Sequence, residues 1–147
     1  MNVTALLAAL ALGLALVAVP ASAQQMKKVK GIVINIGMVD ALMAEHVDAQ
    51  HGVHKGGHGS GAEHIIVSLA DEKSGARIAD AEVSVELRDP KGKLQRKPMM
   101  AMITSGFPDY SEVLHFGWSG KYTLRVSIMR KGMAKPVQAA FTLNRSL

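Results

Sequence analysis

The chain contains no cysteine. That absence excludes a disulfide framework, an iron-sulfur cluster, a thiolate zinc site and a cysteine nucleophile. Aromatic side chains are also sparse, at one Trp, two Tyr and three Phe. Single-stranded nucleic acid is usually held by bases stacked on aromatics among basic residues. Here the 17 Lys and Arg run from Lys27 to Arg145 without such interleaving, so the net charge of +5 reads as a solvated surface and no nucleic acid is expected as partner. Also missing are a Gly-x-Ser-x-Gly elbow, a His-Glu-x-x-His helix and a phosphate-binding glycine loop. Asp109, Ser111 and His115 are close in sequence, but a triad needs convergent geometry and an oxyanion hole. The chain is therefore read as a non-enzyme.

Charge is lacking altogether from Met1 to Ala23. Ala5 to Val19 is nearly all Ala, Leu and Val, and Pro20 and the small residues Ala21, Ser22 and Ala23 follow. An apolar core before an A-x-A pattern is the mark of a secretory signal peptide. Cleavage after Ala23 would release Gln24 to Leu147 into the periplasm or the medium. The run is shorter than the roughly 20 apolar residues of a membrane span. Because Met1 to Thr4 carry no Lys or Arg, a retained anchor is the alternative. The organisation expected is a signal peptide over residues 1–23, a strand with a His/Gly-rich flexible segment over 24–62, and a β-sandwich over 63–147.

The body alternates as strands do. Ile32, Val33, Ile34 and Ile36 form a β-branched run, and Met38 to His46 has the spacing of two helical turns. Apolar residues then recur with period two at Ile65, Val67, Leu69, at Val83, Val85, Leu87, at Tyr122, Leu124, Val126, Ile128, and at Val137, Ala139, Phe141, Leu143. Leu94 to Met102 and Glu112 to Phe116 read as further strands, on either side of a turn-rich Thr104 to Pro108. Turn chemistry separates the strands at Asp71 to Gly75, Asp89-Pro90-Lys91-Gly92 and Lys131-Gly132. With no long amphipathic helix to cover these faces, they must bury against a second sheet. The fold expected is all-β, an immunoglobulin-like antiparallel β-sandwich of about seven strands. Gly120-Lys121-Tyr122-Thr123-Leu124 has the pattern of a tyrosine corner, in which the Tyr hydroxyl bonds back to the chain just upstream.

Two groups of residues carry metal chemistry. Five of the six His, namely His46, His51, His54, His58 and His64, fall within 19 residues, beside Glu45, Asp48 and Glu63. From His51 to Gly61, five of eleven residues are Gly and three are His, a composition that reads as a flexible loop. Imidazole is the commonest transition-metal ligand, and a glycine-rich chain can wrap several around one ion. The second group is Met99, Met100 and Met102, whose thioethers are soft donors suited to Cu(I). In a strand Met100 and Met102 face one way and Met99 the other, so either Met99 or the Met100/Met102 pair serves one ion. The plain alternatives are a soluble hydrophilic loop and Met filling gaps in a core.

Pro98-Met99-Met100-Ala101, Phe107-Pro108-Asp109-Tyr110 and Gly117 to Leu124 resemble the periplasmic iron-transport protein family associated with bacterial ferrous-iron uptake. The likeness spans about Glu63 to Met129. It implies an exported immunoglobulin-like domain with a copper site that uses a Met of the Pro-Met segment, here Met99, and a His just before the Tyr. At the second position this chain has Asp109, a hard oxygen donor in place of imidazole. His64 or His115 is the substitute imidazole if the sheets bring it near.

The function expected is an exported protein that binds or passes a transition metal, copper first among them, through His46, His51, His54, His58, His64, Met99, Met102, Asp109 and His115. Its partners would be the metal ion, an envelope transporter or partner protein, and a second copy of the chain. The competing reading is a non-catalytic envelope interaction or structural module with the His-rich segment as tether. A third is a pH sensor built on the His cluster.

Overall fold

The computed structural model describes residues 25–40 and 61–146. They form nine strands: β1 (Gln25–Val29), β2 (Ile32–Asp40), β3 (Ala62–Asp71), β4 (Ala81–Arg88), β5 (Leu94–Pro98), β6 (Met100–Thr104), β7 (Phe107–His115), β8 (Gly120–Arg130) and β9 (Val137–Arg145). All pairings are antiparallel. One sheet has the order β1-β2-β3-β7-β6 and the other β5-β4-β8-β9. The all-β sandwich expected from the alternation is present, with nine strands rather than about seven.

The two sheets bury their period-two faces against each other. Ile32, Ile34 and Ile36, Ile65, Val67 and Leu69, and Tyr110 and Leu114 meet Val83, Val85 and Leu87, Tyr122, Leu124, Val126 and Ile128, and Ala139, Phe141 and Leu143. The polar, basic Gln25–Val29 is itself a strand because Lys30 (φ 47°) and Gly31 (φ 79°) make a tight two-residue hairpin that returns it along β2. Met38 to Asp40 continue β2, which replaces the start of the helical turns expected there; the rest of that stretch lies outside the described residues. Thr104 to Pro108 is not a long turn. Ser105 (φ 51°) and Gly106 (φ 82°) alone reverse the chain, and Thr104 pairs with Phe107.

Leu94 to Met102 does not form one strand. Met99 N donates to Val83 O at 2.8 Å, completing the β5 side of the four-stranded sheet, and Met100 then pairs with Ser111 in the other sheet. Met99 itself is buried in the core. Polar side chains close both flanks of the sandwich. On one, Gln95 Nε2 donates to His115 O (2.6 Å), His115 N donates to Gln95 Oε1 (3.0 Å), and Lys97 Nζ donates to Glu112 Oε1 (3.1 Å) and Val113 O (2.7 Å). On the other, Gln25 Nε2 donates to Thr142 O and Lys27 Nζ to Ala140 O.

The tyrosine corner forms as its pattern required. Tyr122 Oη accepts from Trp118 N at 2.9 Å and donates to Trp118 O at 2.8 Å. A second buried phenol acts similarly: Tyr110 Oη accepts from Ala81 N and donates to Ile78 O, tying the chain entering β4 to β7. At the end of the sandwich, Glu63 pairs with Arg145, whose guanidinium lies 5.5 Å from the Phe116 ring centroid.

Candidate metal centre

Because the core takes Tyr110 and Leu114 from β7, Asp109, Ser111, Val113 and His115 point to the outer face of the five-stranded sheet. The register adds Met100 and Met102 from β6 and His64 from β3 to the same face. Sequence reasoning left Met99 and the Met100/Met102 pair as alternatives. The chain crossing puts Met99 in the core and the other two on this outer face.

Met102 is directly opposite Asp109 in the β6–β7 pairing, which sets a thioether beside a carboxylate. Asp109 is buried, at 6% exposure, and its Oδ1 accepts from Arg77 Nη2 at 2.9 Å. Burial raises the Asp109 pKa and the Arg77 charge works against that rise. Arg77 also lies 5.5 Å from the centroid of the Phe107 ring.

His64 occupies a second position on this face. It pairs with Val113, four residues along β7 from Asp109, a backbone separation that at about 3.4 Å per residue is ~14 Å. His64 is 5% exposed and its Nδ1 lies 3.2 Å from Ser111 Oγ, itself buried. His115 pairs with Ala62 and is therefore the diagonal neighbour of His64, at a spacing long side chains can bridge. The expected donors thus fall into two groups, Met102 with Asp109 and His64 with His115, on one face but in separate rows. Among the described residues no three His, Asp or Glu side chains gather at one point.

His46, His51, His54 and His58 lie outside the described residues. The connection that carries them leaves at Asp40 and returns at Gly61. Asp40 pairs with Glu63, and Phe116 N donates to Gly61 O, so both roots sit at the His64/His115 end of the sheet. Gly61 has φ +82°, and a Cβ there would lie 2.5 Å from Phe116 O, so only glycine fits this return. Sequence reasoning missed Arg77 and weighed Ser111 only as a triad member, not as a partner of His64. They are 32 and 47 residues from the side chains they hold, and no local pattern links them.

The fold and the position of these donors define an immunoglobulin-like sandwich with a polar, donor-bearing patch on an outer sheet face. No family model matches the chain, and no curated protein matches its sequence. Solved structures do match in fold. FetP of uropathogenic Escherichia coli strain F11 is similar at 15% identity and a TM-score of 0.62, over 82% of this chain and 92% of that one. Copper-reconstituted P19 of Campylobacter jejuni gives 14% and 0.60, over 82% and 92%. A DUF4426 family protein of Pseudomonas aeruginosa gives 13% and 0.61, over 84% and 94%. At these identities the likeness is one of fold, and it agrees with the resemblance drawn from the Pro-Met, Pro-Asp-Tyr and Trp-to-Leu motifs.

Proposed function

We propose that this chain is an exported, non-catalytic domain that binds a transition metal, copper first, on the outer face of its five-stranded sheet. The observation that carries the reading is the shared face. Imidazoles from His64 and His115 stand at one end of it, and the Met102 thioether and Asp109 carboxylate stand further along. The connection carrying His46, His51, His54 and His58 is rooted at the imidazole end by Asp40 and Gly61, and its imidazoles would add nitrogen donors to the set. FetP and P19 support the choice of metal, since both have been described copper-bound.

The donor chemistry divides the labour. Imidazole accepts Cu(II) or Zn(II), and thioether prefers Cu(I). Ser111 Oγ, 3.2 Å from Nδ1, orients the His64 ring on this face. Asp109 would share its carboxylate between Arg77, which is bound at Oδ1, and the ion. Met99, buried between the sheets, lies off this outer face.

Calorimetric titration of the processed chain with Cu(II), Cu(I) and Zn(II), beside a synthetic peptide of residues 41–60, tests the reading. The intact chain should bind Cu(II) more tightly than the peptide. His64→Ala and Ser111→Ala should each weaken that binding roughly tenfold or more. Equal affinity of chain and peptide would overturn the sandwich as a metal site.

The Asp109–Arg77 pair favours a second reading, because a carboxylate already neutralised by a guanidinium is a poor waiting ligand. On it the domain is an envelope interaction module with a His-rich tether. A melting midpoint unmoved by any of these ions would support the module, since a ligand of the native state alone must raise it.

A further inference from the structure

Lys and Arg that stand apart in the sequence meet at one corner of the sandwich. Arg88 ends β4, Lys91 and Lys93 lie in the turn joining β4 to β5, and Lys121 enters β8 beside them, since Arg88 pairs with Thr123. All four are exposed, and none forms an ion pair among the described residues. The carboxylate of this turn, Asp89, is turned to its own backbone, where Oδ1 accepts from Lys91 N at 2.9 Å and Lys93 N at 2.8 Å.

The same corner displays Trp118, the single tryptophan of the chain, at 47% exposure. Lys91 Nζ lies 3.0 Å from its ring centroid. The indole is held in place from behind. Tyr122 Oη bonds both backbone groups of Trp118, and Pro90 packs so closely on Gly120 that a Cβ there would lie 2.9 Å from its ring. Cations and indole are therefore one rigid feature, and little ordering is left for binding to pay. The far end of the sandwich also has exposed cations, Lys131 and Lys135, but Arg77 and Arg130 there are ion-paired and no tryptophan accompanies them.

We propose that this corner docks on an anionic phospholipid surface, with Trp118 entering the headgroup layer while Arg88, Lys91, Lys93 and Lys121 meet the lipid phosphates. Charge complementarity selects the occupant, and the indole, apolar in body and polar at its N–H, is a side chain favoured at the boundary between water and bilayer. Turn and strand end together reach a plane without requiring a groove. Each basic side chain near an anionic leaflet raises partitioning roughly fivefold, so four cations and an indole make a usable two-signal contact. Phe116 N donates to Gly61 O, so the corner shares its end of the molecule with His64, His115 and the roots of the His-rich connection. On the metal reading above, which this consequence alone rests on, docking brings the imidazole end to the bilayer.

Vesicles of phosphatidylglycerol and phosphatidylcholine in equal parts, beside vesicles of phosphatidylcholine alone, test the proposal with the processed chain in chelator. The chain should sediment with the anionic vesicles only, with a blue shift of Trp118 emission, and should be released as salt rises. Lys93→Gln with Lys121→Gln should lower partitioning roughly 25-fold. Lys131→Gln with Lys135→Gln, a charge-matched control at the far end, should leave it within about twofold. Circular dichroism should be the same for both pairs and the wild type. A chain that ignores anionic vesicles overturns the proposal, as does equal loss in the two pairs, or binding with Trp118 emission unmoved. An emission shift produced by soluble polyglutamate but not by vesicles also overturns it, in favour of an acidic protein partner. Every arm is read without metal, so failure of the copper reading leaves the result intact.

Discussion

Arg77 Nη2 lies 2.9 Å from Asp109 Oδ1, yet the Asp109 carboxyl is held above its ordinary value because its burial outweighs the neighbouring charge. Between the unfolded and the raised folded value, the folded state binds more protons than the unfolded one. Stability contributed by this group therefore falls as pH rises through that window, and above it the ionised carboxylate is a net cost. Asp109→Asn should raise the melting midpoint at pH 7, with the difference closing below about pH 4. Thermal melts of both chains from pH 3 to 8 check it. A lower midpoint for the variant at pH 7 would mean that the Arg77 attraction dominates. The same substitution should weaken Cu(I) binding if Asp109 is a ligand, so stability and affinity would move in opposite directions.

Glu63 is 6% exposed and Arg145, at 25%, is its partner across the end of the sandwich. Removing one member leaves a buried charge unpaired. Arg145→Ala should cost about 3 kcal/mol in urea unfolding, and replacing both residues by Leu should recover most of the loss. If the double variant is as unstable as the single one, packing of the Arg145 stem on Phe116, not the charge pair, holds this end.

Tyr122 Oη satisfies both backbone groups of Trp118. Tyr122→Phe keeps the ring and strands those groups, at a cost of about 1–3 kcal/mol. Trp118 is the single tryptophan of the chain, so its fluorescence should report the loosened corner before global unfolding.

Gly61 and Gly37 form a matched pair for the next test. Gly61→Ala should destabilise by roughly 1–3 kcal/mol, because it combines a left-handed φ with a clash against the Phe116 carbonyl. Gly37→Ala, with nothing within 4 Å of the added carbon, should be close to neutral. Denaturant midpoints distinguish them.

Period-two apolar spacing made β3, β4, β8 and β9 legible, since each presents one face to a single core. It hid β1, whose Lys27 and Gln25 point inward as flank clamps and so break the apolar pattern. It also hid the break at Met99, because Arg96, Lys97, Met99 and Met100 give no local sign that the chain leaves one sheet for the other. The candidate donors were visible as residue types. Their grouping was not: whether Met102 meets Asp109 or His64 depends on how β3, β7 and β6 align across long sequence separations. The partners that settle the state of these side chains, Arg77 and Ser111, belong to segments with no metal-binding signature of their own.

The passage of one strand from sheet to sheet at Met99 has a mechanical consequence. Leu94 to Thr104 is a single hem stitched along both layers, so strain placed on either border passes into the other through one backbone. Amides of β5 and β6 are accordingly expected to exchange with solvent together, although they belong to different sheets. Any event that grips or frees the Met102 border would then be felt on the far side of the sandwich.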